Sequence, residues 1–100
     1  MRKRFIVAVD DTTPAQNQAF RDFLKASSLN WWHWISNVWL LIDEAGTWNA
    51  AQLRDKAREF YPGENTFIVE LRPNDDTWAG FGPNSEKRNM FNWIKQNWKK

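Results

Sequence analysis

Residues 4–10, Arg-Phe-Ile-Val-Ala-Val-Asp, form a short and nearly unbroken apolar run that ends in acid. Such a run predicts a strand buried on both faces. The pattern then changes to helical spacing. Thr13 is a good N-cap, Pro14 suits the first helical position, and Gln16 completes a capping box. Ala15, Ala19, Phe20, Phe23 and Leu24 recur along one side, and Ser27-Ser28 loosens the end of the helix. Period two returns over Trp31–Ser36. There Trp32 and Trp34 share one face, and Trp31, His33 and Ile35 the other. Ser36-Asn37 is a short turn into Val38–Asp43, so the two runs predict a hairpin. A second helix is expected from an N-cap at Thr47 to about Phe60, with Ala50, Leu53, Ala57 and Phe60 on one stripe. Pro62-Gly63 stops it. Thr66–Leu71 reads as a fourth strand.

After Leu71 the pattern breaks. Residues 72–77 are polar, and Trp-Ala-Gly-Phe-Gly-Pro at 78–83 is too interrupted for a long strand. Asn84 or Ser85 can cap a last helix, on which Met90, Phe91, Ile94 and Trp98 make one stripe with Trp93 to the side. The order β-α-β-β-α-β plus a helix predicts an α+β, ferredoxin-like single domain over residues 1–100: a four-stranded antiparallel sheet with two helices on one face. Its parts are a core at 4–71, a loop at 72–84 and a basic C-terminal helix at 85–100. The opposite sheet face needs a cover: the C-terminal segment, a second copy, or a ligand.

Composition sharpens that need. The chain has eight tryptophans in 100 residues. A domain of this size has a modest core, and exposed aromatics mark contact surfaces. Trp31, Trp32, Trp34, Trp39, Trp78 and Trp93 are therefore the expected contact surface. The absence of cysteine excludes disulfides, Cys-based zinc sites and thiol catalysis. No apolar run is long enough to span a membrane. The basic start at Met1–Arg4 is followed by too short an apolar stretch for a signal peptide, so a cytoplasmic location is expected. Net charge is +2, but residues 5–84 hold six basic residues against eleven acidic ones, a balance of −5. The basicity sits at the two termini, where it can solvate a helix end or touch phosphate.

Candidate chemistry is sparse. Asp10-Asp11 and Asp43-Glu44 end the first and third strands. Those strands are antiparallel neighbours in a ferredoxin-like sheet, so the two acidic pairs fall at opposite edges. Across a dimer, two copies of Asp10 could share Mg²⁺; alone, such acids serve loops leading into helices. His33 is the only histidine, too few for a histidine metal site. Gly80-Phe81-Gly82-Pro83 is a turn, not a phosphate cradle. The strand order also admits an RNA-recognition module, but the first strand offers only Phe5 and the third only Trp39 for stacking bases.

The strand Phe5–Asp10, the strand Val-Trp-Leu-Leu-Ile-Asp at 38–43, the helix Ala-Ala-Gln-Leu-Arg-Asp-Lys-Ala-Arg-Glu-Phe at 50–60 and the strand Thr66–Leu71 resemble small ferredoxin-like proteins of the CRISPR-associated endoribonuclease type (the second Cas protein). The resemblance covers residues 4–71. It implies homodimers formed through the sheets, and it makes Asp10, at the end of strand one, the counterpart of that family's candidate metal ligand. The leading expectation is a non-enzymatic homodimeric interaction module without a cofactor, open to a protein partner. The alternatives are a Mg²⁺-dependent nuclease-like dimer using Asp10 from each chain, and a nucleic-acid-binding module using exposed Trp and the basic C-terminal helix.

Overall fold

The computed structural model describes residues 1–73 and 78–98. Most of the polar loop expected at 72–77 lies outside the described residues, as do Lys99 and Lys100. The elements are β1 (Lys3–Val9), α1 (Pro14–Ala26), β2 (Asn30–Ile35), β3 (Val38–Asp43), α2 (Ala50–Phe60) and β4 (Thr66–Leu71), followed by a π-helical turn at Ile94–Trp98. The strands form one open antiparallel sheet in the order β2-β3-β1-β4. This α+β architecture is broadly compatible with the ferredoxin-like expectation.

Local sequence explains most boundaries. Thr13 caps α1 through a full capping box with Gln16, and Pro14 opens the helix. The end of α1 is closed, not loosened. Ser28 takes a left-handed φ of 58°, while the Leu29 and Ser28 amides donate to the Leu24 and Lys25 carbonyls. That is a Schellman closure with serine where glycine is usual, and buried Leu24 and Leu29 make its hydrophobic contact. The N-cap of α2 is Asn49, paired with Gln52, rather than Thr47. The Asp43 carboxylate claims the intervening turn by accepting from the Gly46 and Trp48 amides. Gly46 has φ 70°, and a Cβ there would run into the Met1 backbone.

Alternation puts Phe5, Val7 and Val9 of β1 and Trp39 and Leu41 of β3 on the face that meets both helices. They form the main core with Phe20, Leu24, Leu53, Ala57 and Tyr61. Phe20 lies edge-on to Trp39 at 5.0 Å between ring centroids, and Phe23 edge-on to Trp48 at 5.6 Å. A second cluster lies on the opposite, outer face: Trp32 and Ile42 from the sheet against Met90, Ile94 and Trp98. The C-terminal segment is thus a partial cover for the outer face.

That segment is less helical than its stripe predicts. Residues 84–89 form a tight reversal, with an Asn84–Asn89 bridge and mutual bonds between Ser85 and Arg88. Asn89 then accepts from the Phe91 and Asn92 amides, and helical structure begins only there. The expected helix over 85–100 is therefore shortened at its start, because Ser85 and Asn89 bind the backbone into a turn before a helix can propagate.

Candidate functional site on the outer face of the sheet

Pairing registers order the outer face into rows across the four strands. The first row is Leu71, Arg4, Ile42 and Asn30; the second is Val69, Ile6, Leu40 and Trp32; the third is Phe67, Ala8, Val38 and Ile35. Ile35 joins the third row because β2 carries a bulge. Three residue steps from Trp32 to Ile35 span the two steps from Leu40 to Val38. This corrects the strict alternation expected for β2, which put Ile35 on one face with Trp31 and His33.

The C-terminal segment covers the first row and one end of the second. The Trp32 indole N–H donates to the Met90 carbonyl at 2.6 Å, and the Trp93 indole N–H to the Asn30 side-chain oxygen at 2.9 Å. Arg4 is 4% exposed, with its guanidinium carbon 5.0 Å from the Trp98 ring centroid; it donates to the carbonyls of Trp98 and Arg72. Arg2 donates to the Asn97 and Trp98 carbonyls and pairs with Glu44. Cations thus meet the terminal carbonyls of the last turn, where the helix dipole is negative.

The third row is the most open of the three. Phe67 is 68% exposed and Ile35 50%, while Ala8 and Val38 are half-buried. The small side chain of Ala8 leaves a shallow hollow of about 360 Å³, walled by Phe67 and Thr66 and rimmed by Asp10, Asn37 and Asn65. On the same side of the sheet, residues 78–83 ride on the C-terminal segment. Trp78 stacks on Phe91, with centroids 5.9 Å apart. A Cβ on Gly80 would come within 2.8 Å of the Phe91 ring, and one on Gly82 would run into the Met90 sulfur. The two glycines let the backbone lie flat on these side chains, leaving Phe81 fully exposed between them.

The six tryptophans expected at a contact surface do not share one. Trp39 is completely buried in the main core and Trp32 is buried under the C-terminal segment. Trp31 is half-buried against the main core, and half-buried Trp93 packs on the outer cluster. Only Trp34, under the Arg88 guanidinium, and Trp78 are exposed, each at 38%. Trp residues fall on both faces of the sheet, and each face has its own cover. Phe67, Ile35 and Phe81 are more exposed than either, as is Met1. Alternation within Thr66–Leu71 sets Phe67 on the side opposite Ile68, which was a usable signal. The bulge that turns Ile35 outward carried none.

Asp10 stands at the end of the sheet formed by the β2–β3 turn and the start of β4. Its side chain accepts from the Asn65 amide at 3.1 Å, and its backbone carbonyl from Asn37 at 2.6 Å. Asp43 lies at the other end, opposite Lys3. The two acidic pairs are therefore separated as expected. Among the described residues, no three or more His, Asp or Glu side chains converge as a metal site. Asp11 accepts from the Thr12 amide.

Beside Asp10, on the helix side, runs a polar chain not anticipated from sequence. The Tyr61 hydroxyl donates to the Asn17 side-chain oxygen at 2.7 Å, the Asn17 amide donates to Thr12, and Thr12 donates to the Ser36 carbonyl. His33 reaches the same carbonyl through Nε2 at 2.9 Å and stacks flat on Trp39 at 3.6 Å. A carbonyl can only accept, so Nε2 carries the proton. Burial lowers the His33 pKa below its usual 6.5; the Ser36 carbonyl opposes this and the Arg21 charge adds to it. Burial pushes the Tyr61 phenol up to about 12, against weaker pulls from Trp39 and Arg21. The Trp39 indole N–H is buried and has no hydrogen-bond partner within ordinary geometry among the described residues.

No protein-family model matches the chain, and no curated protein or solved structure matches it. Among the described residues, no helix is long and apolar enough to cross a membrane.

Proposed function

We propose that this chain is a small ferredoxin-like interaction module that binds rather than catalyses and acts as a homodimer. Its contact surface is the most open part of the outer sheet face. One observation carries the reading: the row Phe67, Ala8, Val38 and Ile35 is apolar on all four strands, yet Phe67 and Ile35 at its two ends stand exposed. A sheet face with this pattern is stable in water when something packs on it. The row therefore replaces the Trp set as the seat of association.

Sedimentation equilibrium at micromolar concentration tests the reading. The parent chain is expected to sediment as a dimer. Phe67→Asp sets a charge at the β4 end of the row and is expected to weaken association at least about tenfold, with an unchanged circular dichroism spectrum. A parent chain that remains monomeric overturns the proposal. Asp10 rims the same surface, so the same samples are assayed on RNA and DNA with Mg²⁺. Cleavage by the parent that Asp10→Ala abolishes would replace the binding module with the nuclease-like dimer.

A further inference from the structure

The sheet has two edge strands, and only one of them is guarded. At β2 the bulge between Trp32 and Ile35 breaks the ladder, and Arg88 lies over Trp34. A bulge makes an edge a poor template for further pairing. At β4 six consecutive residues, Thr66–Leu71, pair with β1 without a shift. This strand holds no proline, glycine or lysine, and its one charge, Glu70, lies next to its end.

The register fixes which backbone groups of β4 point away from the sheet. The Asp10 amide donates to the Asn65 carbonyl at 2.9 Å, one step beyond the Val9–Thr66 pair. Antiparallel bonding alternates in steps of two. Phe67, Val69 and Leu71 therefore turn their N–H and C=O groups to β1. Thr66, Ile68 and Glu70 turn theirs outward, and no described residue bonds to them. Donors and acceptors repeating at strand pitch are matched by another extended backbone.

Room for side chains lies beside this edge. On the helix side, a hollow of about 210 Å³ opens between β4 and the start of α2, where Ala50 and Ala51 are small. It is below the roughly 300–1,000 Å³ of small-molecule sites, so it suits a side chain of a docked strand and not a whole ligand. Ile68 and Arg54 line it, and Arg54, beside Asp55, disfavours a second cation there. Glu70 is exposed on the same side of β4 and forms no ion pair with a described residue. Side chains directly opposite on neighbouring strands interact, and opposite charges favour pairing. Charge complementarity thus asks for a cation opposite Glu70 and an uncharged residue opposite Ile68.

We propose that the outer edge of β4 binds an extended segment of another protein as an added antiparallel strand, with an apolar residue opposite Ile68 in the hollow and a basic residue, two positions earlier, opposite Glu70. Antiparallel pairing lets each outward residue of β4 exchange both its bonds with one partner residue. The main-chain bonds supply affinity, and the two side chains supply selectivity. The site is the edge of the sheet and not its outer face, so it stands or falls apart from the homodimer.

The probe is a fluorescent six-residue peptide, as long as β4, with lysine second, valine fourth and threonine elsewhere. It is titrated with the full chain by anisotropy. Laid antiparallel with its first residue opposite Leu71, it turns its second, fourth and sixth amides to the edge. N-methylation of the fourth amide is expected to weaken binding at least about tenfold, since a β4 carbonyl loses its donor. N-methylation of the fifth, which faces away, is expected to change it less than about threefold. Glu70→Lys is expected to reverse the preference for lysine over glutamate at the second position. Thr66→Pro removes an outward N–H at the first strand position, where proline is tolerated. It is expected to weaken binding at least about threefold, with an unchanged circular dichroism spectrum. No saturable binding up to about 1 mM, or equal effects of the two N-methyl groups, overturns the proposal. If the peptide does not bind and Thr66→Pro instead dissociates an oligomer of the parent chain, a second copy holds the edge and the proposal falls.

Discussion

The residue that couples this fold most directly to solution conditions is His33. It lies flat on Trp39 and donates through Nε2 to the Ser36 carbonyl, in a setting that lowers its pKa below 6.5. The folded state therefore holds the neutral ring, while the unfolded chain takes up a proton near the ordinary value. Above about pH 6.5 both states are neutral and the contribution is intact. It is lost as pH falls from there through the lowered folded value, because the unfolded state then binds more protons. Melting curves between pH 7.5 and 5 are expected to show the parent losing more stability than His33→Gln, since glutamine does not titrate in this range. Parallel losses in the two proteins would place the pH dependence outside His33. At this scale the sequence was legible wherever a residue acts on near neighbours. The Thr13-Pro14-Gln16 cap is such a case, because every partner lies within three positions. The Tyr61–Asn17 bond joins residues 44 positions apart, and no local pattern announces it.

At the scale of elements, apolar runs, alternation and helical spacing located all four strands and both long helices. They failed at β2 and at the C-terminal segment. In β2 one extra residue moves Ile35 to the outer face, and a bulge has no sequence mark when neither of its residues is glycine. In the C-terminal segment the stripe of Met90, Phe91, Ile94 and Trp98 correctly gave the buried side and docks as expected. It overstated the helix, because burial of that stripe does not require helix over 85–91. This segment is the cover on which the outer face depends. Trp98 is 3% exposed, with Arg4 against its ring and its carbonyl at the end of the Arg2–Arg4 clamp. Trp98→Ala is expected to cost about 3–5 kcal/mol in chemical denaturation, the usual range for a buried Trp. It also opens the first row of the sheet, so binding of a hydrophobic dye is expected to rise. A loss below about 1 kcal/mol would place Trp98 among surface substitutions and mark the segment as a loose tail.

The whole molecule divides its aromatic surplus between two sides of one sheet, and this division decides how it can associate. Had the tryptophans gathered on one exposed face beside the basic termini, the molecule would be built to stack bases and hold phosphates. Instead Trp39 and Trp32 are interior, Arg2 and Arg4 are turned onto the chain's own C-terminal carbonyls, and the exposed apolar row is edged by Asp10. The proposed association is therefore apolar at its centre, with few charges to screen. Salt separates the two physical cases. A protein that neutralises six to ten phosphates loses about 10³–10⁵ in affinity between about 50 mM and about 200 mM salt. A contact made by Phe67, Val38 and Ile35 releases no counterions, and sulfate strengthens apolar burial. The dimer dissociation constant, read by sedimentation across that range of sodium chloride, is expected to change by less than about threefold, a shift of under about 0.7 kcal/mol, and to tighten in sulfate. Steep weakening with salt, together with salt-sensitive binding of single-stranded RNA by the same samples, would move the contact from the apolar row to the basic ends of the chain.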